Sequence, residues 1–225
     1  MATLSIVGTP IGNLGDITIR ALQVLKDADV IACEDTRVSA KLLTRYDIHK
    51  PLVIFHAESG PRAGERILAL LAEEKNVALI TDAGTPGISD PGSELVKQVR
   101  LRLPETRIEA IPGPSAITAA LSIAGVSGSD FTFLGFLPHK KGRQTTFKEI
   151  AEAERTVVFY ESPHRIEKAL ASLALVLDDS RKVMVARELT KIHESFIQGT
   201  PTEVAEYFAT HKTEVRGEFV VIVAA

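Results

Sequence analysis

The chain has 225 residues, with 26 basic and 29 acidic side chains and a formal net charge of −3. This length accommodates one large domain or two small ones, each with a buried core. The net negative charge excludes a general attraction to nucleic acid, so binding of a polyanion would require a local basic patch. The single cysteine, Cys33, excludes an internal disulfide and a multi-cysteine metal site, and it fits a reducing cytosol.

Targeting, membrane and metal signals are weak along the whole sequence. The N-terminus MATLSIVGTP has no basic stretch followed by a long apolar run, which argues against a secretory signal. Apolar runs stay well below the ~18 residues that span a bilayer. The six histidines lack the spacings of zinc sites. We therefore expect a soluble cytoplasmic protein that binds neither a membrane nor a metal.

The first part of the chain alternates short β-branched runs with stretches of helical period. Continuous apolar strands separated by helices predict a parallel sheet covered on both faces. The predicted elements are strand 4–8, helix 17–28, strand 29–33, helix 38–46, strand 52–55, helix 61–73, strand 77–81, helix 93–100, strand 107–111, helix 115–125 and strand 131–136.

The alternation is interrupted at LPHKKGRQ, residues 137–144, where Pro, Gly and basic residues are typical of a linker. It then resumes, and the fold class is α/β, with two domains predicted over 1–137 and 138–225. The elements predicted after the linker are helix 146–153, strand 155–161, helix 163–177, strand 182–188, the segment 194–199, helix 202–211 and strand 218–225.

Three loops that follow predicted strands of the first half share a composition rich in Gly and Pro. They are TPIGNLGD, DAGTPGISDPG and PGPSA. Any one of them could be rich in Gly and Pro for purely geometric reasons. Because ligands of open α/β sheets bind at the carboxyl ends of the strands, three such loops at one edge favour a cleft lined by backbone.

The residues of these loops limit the ligand. They carry no Lys or Arg, and both the P-loop pattern and the G-x-G-x-x-G fingerprint are missing. Backbone hydrogen bonds to a neutral or positive ligand suit them better than a pyrophosphate does. An adenosine that carries an amino acid and a sulfonium fits this description. Glu34 and Asp35 lie at a strand end where an acid could hold a ribose.

Eight ordered blocks resemble small-subunit ribosomal RNA methyltransferases of the tetrapyrrole-methylase superfamily. They are VGTPIGNLGDIT, CEDTR, TDAGTPGISDPG, IPGPSA, GFLPHKKGR, FYESPHRI, ARELTKIHE and GEFVVIV. The resemblance covers essentially the whole chain. It implies two α/β domains with the cofactor cleft between them, commonly in a homodimer. It also implies methyl transfer from S-adenosylmethionine to a cytidine ribose 2′-oxygen in 16S ribosomal RNA, either as free RNA or in the 30S subunit.

The resemblance also implies positions that contact the cofactor. Thr85 stands where many relatives have Asp, and family members usually extend beyond the position that matches GEFVVIV. The implied cofactor residues are Pro10, Ile11, Gly84, Thr85, Pro86, Ile88, Ser115, Ala116, Tyr160 and Ala186.

Basic residues of the second half are candidates for RNA binding. In ESPHRI, Ser162 is a natural N-cap, which would place His164 and Arg165 in the first helical turn. Cations placed against the helix dipole favour a docked anion, although Arg165 could instead pair with Glu161 or Glu167. The cluster His139, Lys140, Lys141 and Arg143 could be a solvated linker or a phosphate patch.

Proton removal from a ribose hydroxyl would be helped by a carboxylate in hydrogen-bond reach. Asp35 and Glu161 are the candidate bases, and Arg37 is a further candidate for substrate binding. Asp35 could alternatively cap the following helix. Three competing functions stay open: a corrinoid or porphyrin methylase, a non-catalytic RNA-binding or assembly factor, and, last, a nicotinamide enzyme.

Overall fold

The computed structural model describes residues 1–56 and 60–225, with side chains described throughout these ranges except at 60–62. The chain forms two compact units, Met1–Ser115 and Ala116–Ala225, each built around its own five-stranded sheet. The sequence predicted the boundary at 137/138 instead. That boundary was misplaced because residues 131–136 look like one more strand of the first sheet, yet they pair in the second.

The first unit contains a fully parallel sheet with strand order β3-β2-β4-β1-β5. From β1 the chain passes through α1 to β2, which lies on one side of the neighbouring pair β4 and β1. From β4 it passes through α4 to β5, which lies on the other side of that pair. This reversal between neighbouring strands opens a crevice at their carboxyl ends. The elements are β1 Thr3–Val7, α1 Ile19–Asp27, β2 Val30–Cys33, α2 Thr36–Arg45, β3 Leu52–Ile54, α3 Gly60–Ala72, β4 Val77–Leu79, α4 Gly92–Arg102 and β5 Arg107–Ile111.

Helices cover both faces of this sheet, as the apolar strands predicted. Val77 and Leu79 point into a core with α3 and α4. Ala78 and Ile80 alternate to the other face and pack with α1 and α2. Because both faces of β4 are buried, the loops at its end are the part of this strand's neighbourhood that remains open to a ligand.

The second unit contains a mixed sheet with strand order β6-β7-β10-β8-β9, in which only β6 and β7 run parallel to each other. Helices α6, α7 and α8 pack on one face. The elements are α5 Ala116–Ala124, β6 Phe131–Phe136, α6 Arg143–Glu152, β7 Thr156–Glu161, α7 Ile166–Val176, β8 Val183–Arg187, β9 Ser195–Gly199, α8 Pro201–Thr210 and β10 Phe219–Val223. No helix in the described part of the chain is both long and apolar enough to cross a membrane.

The start of α7 differs from the sequence prediction. The helix begins at Ile166 with Arg165 as its N-cap, and no side chain caps it. Residues 162–165 form a turn, in which the N–H groups of Arg165 and Ile166 donate to the Ser162 carbonyl at 3.0 and 2.9 Å. The predicted N-cap role of Ser162 is therefore wrong, and Arg165 lies outside the first helical turn.

Candidate functional site

Three loops meet at the carboxyl edge of the parallel sheet. The N–H of Gly8 donates to the Ile111 carbonyl at 3.0 Å, which ties the β1 loop to the end of β5. Thr9 and Gly84 exchange two backbone hydrogen bonds of 2.9 and 3.1 Å, which ties the β1 loop to the β4 loop. The predicted sharing of one edge by the three Gly/Pro loops is thus confirmed.

The loops approach so closely that glycine is required at their contact. A Cβ added to Gly8 would lie 2.8 Å from the Gly113 Cα, and one added to Gly113 would lie 2.7 Å from the Gly8 carbonyl oxygen. Thr9 lies beneath this contact with 2% of its surface exposed. Its hydroxyl donates towards the carbonyls of Thr81 and Gly84, at 3.1 and 3.3 Å. The backbone of the loops at this edge is therefore held in place by close packing and hydrogen bonds.

The β4 loop is shaped by positive φ angles and by one carboxylate. Gly84 has φ +80°, a region that side chains disfavour. Both oxygens of Asp90 accept from the Gly87 N–H at 2.8 Å, and Asp90 also accepts from the N–H groups of Ile88 and Gly92 at 3.0 and 2.8 Å. Ser89 adopts φ +67° inside this turn. Asp90 holds the loop closed from within.

The predicted cofactor residues of the first unit line these loops. Pro10 and Ile11 are buried, and the Ile11 Cγ2 would lie 3.5 Å from a Cβ built on Gly84. Thr85 is half-buried and Pro86 buried, whereas Ile88 is 47% exposed. Ser115 ends this unit, and Ala116 is the first residue of α5. The structure brings Pro10, Ile11 and Gly84 together.

Carboxylates accept backbone hydrogen bonds from the neighbouring loop where β2 and β4 end side by side. The Asp82 N–H donates to the Glu34 carboxylate at 3.2 Å, and the Asp35 N–H donates to the Asp82 carboxylate at 3.1 Å. Partial burial raises the pKa of the Glu34 carboxyl above its ordinary value, against the Asp82 N–H, which lowers it. The edge thus combines negative charge with a carboxyl of increased proton affinity.

Asp35 caps α2, as one of the two sequence interpretations expected. It accepts from the Arg37 N–H at 2.8 Å and from the Arg37 Nη2 at 2.6 Å. These bonds lower the pKa of the Asp35 carboxyl to about 2. A carboxylate held so firmly in its ionised form is a weak proton acceptor. Arg37 is exposed, and its guanidinium is engaged by Asp35.

The predicted cofactor residues of the second unit lie in one row across its sheet. Tyr160 of β7 and Ala186 of β8 both pair with Val220 of the intervening β10. With strands ~4.8 Å apart, the two residues are about 10 Å from each other on the same face. Burial, followed by the negative charge of Glu218, raises the pKa of Tyr160 to about 12. Tyr160 therefore presents a neutral phenol at physiological pH.

Glu161 lies at the centre of a buried ion-pair network, which is not the setting of a general base. Its side chain is fully buried and contacts Arg165 Nη2 at 2.7 Å and Arg143 Nη2 at 3.2 Å. It also accepts from the Ser162 N–H at 2.8 Å. Three donors around a carboxylate without solvent exposure leave it unable to reach a substrate proton.

Arg143 and Arg165 consequently face inward rather than towards RNA, with only 14% and 16% of their side chains exposed. Their remaining nitrogens donate to the carbonyls of Pro138 and Leu137, at 3.1 and 2.9 Å. The sequence favoured an RNA phosphate as the anion bound by Arg165, but in the structure Arg165 pairs with Glu161. The two arginines hold the basic segment in place instead.

The exposed basic side chains of this region are His139, Lys140, Lys141 and His164. The first three precede α6, whose N-cap Gly142 adopts φ +86°. Among the residues that the structure describes, no three His, Cys, Asp or Glu side chains form a group that could hold a metal ion.

Comparison with known proteins identifies the family. Residues 3–205 match the Tetrapyrrole (Corrin/Porphyrin) Methylases. The chain is 43% identical over 224 residues to the ribosomal RNA small subunit methyltransferase I of Thermotoga maritima, an alignment that covers 100% of this chain and 99% of that protein. The proteins of the same name from Xylella fastidiosa and Bacillus subtilis are 44% and 41% identical, and 81% and 75% of their lengths are covered. The chain belongs to this methyltransferase family.

The fold of this methyltransferase matches those of other solved methyltransferases. CobJ matches with a TM-score of 0.72 at 20% identity, covering 100% of this chain and 94% of that one. The Thermus thermophilus uroporphyrin-III C-methyl transferase complexed with S-adenyl homocysteine matches with a TM-score of 0.68 at 19% identity, covering 99% and 97%. The two α/β units predicted from the sequence are confirmed. The methyltransferase uses S-adenosylmethionine, as the resemblance implied.

Several residues that shape the candidate site escaped the sequence analysis. The approach of Gly8 to Gly113 and the pairing of Asp82 with Glu34 depend on which strands are neighbours, whereas the closure of the loop by Asp90 is local. One available signal was the recurrence of an acid directly after two strands, in CED and TDAG. Adjacency of β2 and β4 turns that recurrence into a cluster.

Proposed function

We propose that this methyltransferase transfers the methyl group of S-adenosylmethionine to the ribose 2′-oxygen of a cytidine in 16S ribosomal RNA. The observation that carries the proposal is the 43% identity, over the full length of both chains, to a protein named for methylation of small-subunit ribosomal RNA. The proposal also places the enzyme in the cytoplasm, where it acts on the RNA or the 30S subunit, and expects a homodimer.

The loop geometry supports the cofactor assignment. The Gly8–Gly113 contact and the positive φ of Gly84 produce a surface of backbone without basic side chains. Such a surface suits an adenosyl group held through backbone hydrogen bonds. The carboxylates of Glu34 and Asp82 add negative charge that favours a sulfonium and an α-ammonium. We propose Pro10, Ile11 and residues 84–88 as the contacts of this unit.

For this methyl transfer, the main task of the protein is to align the two reacting groups. S-adenosylmethionine, when bound, supplies an already activated methyl group. Holding the ribose oxygen in line with that group could provide most of the acceleration. We assign removal of the hydroxyl proton to Glu34, because its partly buried carboxylate at the end of β2 accepts from the Asp82 N–H at 3.2 Å and has a raised pKa. The Asp35 carboxylate, by contrast, is engaged by Arg37. Buried Glu161 is not proposed for this step.

Mapping of 2′-O-methyl groups in 16S ribosomal RNA tests the proposal. A strain without the gene is expected to lose one mark at a cytidine, and the wild-type gene restores it. The Glu34→Gln variant should restore it poorly, whereas the Asp35→Asn variant should restore it more fully. Calorimetry on the purified chain should detect binding of S-adenosylmethionine and none of NAD. An unchanged methylation map would refute the function and leave a non-catalytic RNA-binding role.

A further inference from the structure

An aromatic cluster with one exposed ring lies at the β6 edge of the second sheet. The β6–β7 pairing passes from Phe133 opposite Val158 to Phe136 opposite Tyr160, so β6 takes three steps where β7 takes two. This extra residue is a β-bulge, and Gly135 within it adopts φ +64°. Because side chains alternate between faces, the bulge brings Phe136 to the same face as Phe133 and Tyr160.

The three rings support one another while one of them stays open to solvent. Tyr160 contacts Phe133 edge-on at 5.0 Å between centroids, and it contacts Phe136 at 5.4 Å. Phe136 nevertheless exposes 55% of its surface. An aromatic ring that is exposed to solvent and also packed against Tyr160 can stack with a second planar group.

The segment directly after Phe136 is fixed in place. Leu137 turns into the core beneath α6 and α7. Its carbonyl accepts from Arg165, and the next carbonyl, that of Pro138, accepts from Arg143. Both guanidiniums are tied to buried Glu161. The basic residues that follow are therefore presented from an ordered base rather than from a free linker.

Basic side chains that could hold an anion follow this ring closely in the chain. His139, Lys140 and Lys141 are exposed and follow Phe136 within five residues, a reach of at most ~18 Å along the chain. Of the nearby carboxylates, Glu161 is paired with its two arginines, whereas Glu218 shares Lys191 with Glu188 and keeps a negative charge that acts on Tyr160. An exposed ring that is followed in the chain by two exposed lysines matches a base with its adjoining phosphates.

We propose that Phe136 is a stacking platform for an unpaired base of the RNA, with Lys140 and Lys141 holding the adjoining phosphates. This inference rests on the proposed function, in which the substrate is ribosomal RNA. Proteins that recognise single-stranded RNA stack its splayed bases on aromatic side chains. Such a contact would hold one unpaired nucleotide of the substrate RNA.

Three variants of the full-length chain test the platform against a fluorescein-labelled single-stranded oligocytidylate. Loss of a base–aromatic stack typically weakens binding by about 5- to 150-fold. Phe136→Ala and Phe136→Leu should both show this loss, because leucine keeps the apolar bulk but lacks the ring face. Phe136→Tyr should bind like the wild type. Thermal unfolding verifies that the variants are folded, which the exposure of Phe136 leads us to expect.

The alternative outcomes point to different surfaces. If Phe136→Leu binds the RNA like the wild type, the ring serves only as an apolar contact and the platform is refuted. If Phe136→Ala changes the mass measured by light scattering, or weakens S-adenosylmethionine binding instead of RNA binding, the ring belongs to a subunit contact or to the cofactor site, and the platform is again refuted.

The proposed function fails separately from the platform. Wild-type chain that binds the oligonucleotide through Phe136 but does not methylate 30S subunits would refute the function and retain the platform. Methylation with unchanged RNA affinity in Phe136→Ala would refute the platform alone.

Discussion

Substitution of Arg165 by alanine separates a structural role from an RNA-binding role. The sequence expected this change to weaken RNA binding, because Arg165 was placed in an exposed helical turn. In the structure, its Nη2 lies 2.7 Å from Glu161, and its Nη1 donates to the Leu137 carbonyl at 2.9 Å. We expect Arg165→Ala to destabilise the fold first and to affect RNA binding only through that loss.

The size of the effect follows from the burial of Glu161. Removing one partner of a buried ion pair costs about 3–5 kcal/mol, since the other charge stays buried. Arg143 still compensates Glu161 from 3.2 Å, so we expect the lower end of this range. In a chain of this size, 1 kcal/mol shifts the unfolding midpoint by roughly 2–4 °C. A loss of about 3 kcal/mol therefore predicts a decrease of about 6–12 °C.

Calorimetric unfolding of two matched arginine variants measures this difference. Arg155 also pairs with a carboxylate, Asp130 at 2.8 Å, but both side chains are more than 60% exposed. Exposed pairs contribute less than about 1 kcal/mol, so Arg155→Ala should lower the midpoint by no more than about 4 °C. Equal midpoints for the two variants would refute the structural role of Arg165. Lost RNA affinity at an unchanged midpoint would restore its role in binding.

Three further predictions concern the cofactor loop, Tyr160 and the exposed lysines. Asp90→Ala should weaken S-adenosylmethionine binding at least about fivefold in calorimetry, because unsatisfied loop N–H groups cost about 1–3 kcal/mol; unchanged affinity would show that the loop holds its shape without Asp90. The pKa of Tyr160 is raised from 10.0 to about 12 by burial and by Glu218, so its stabilising contribution is complete below pH 10 and is lost as the pH rises through about 12. Tyrosinate absorbance of the Tyr160→Phe variant should lack this late titration, and an identical titration curve would contradict the assignment. Exchanging Lys140 and Lys141 for Gln should reduce the slope of log affinity against log salt by about 1.4 for single-stranded RNA; an unchanged slope would place the phosphates elsewhere.

Sequence reasoning succeeded where the signal is local. The apolar runs ending at Val7, Cys33 and Leu79 were found because a strand buried on both faces needs continuous apolar residues. The β4 loop was predicted to present its backbone because it carries no basic side chain, and the positive φ of Gly84, a position that the resemblance implied, explains the glycine. The Asp35 cap was one of two interpretations, and the geometry of α2 decided between them.

Strand order was the first property that the sequence left open. Residues 131–136 resemble another strand of the first sheet, and only pairing with β7 assigns them to the second. The contact of Gly8 with Gly113 and the cluster of Glu34 with Asp82 likewise exist because particular strands are neighbours. Hydrophobic periodicity specifies which face of a strand is buried, but it does not specify the adjacent strand.

By itself, the sequence determined the α/β class, the backbone character of the cofactor loops and, through its ordered blocks, the methyltransferase family. Each of these depends on residue types at short spacing along the chain. Only the tertiary structure decided what the charged and aromatic residues do. Arg143 and Arg165 are as basic in the sequence as Lys140 and Lys141, yet Glu161 draws the two arginines inward and leaves the lysines exposed. The bulge at Gly135 likewise moves Phe136 to the open face. For these charged and aromatic side chains, burial and facing direction follow from packing between distant segments, and the local sequence does not encode them.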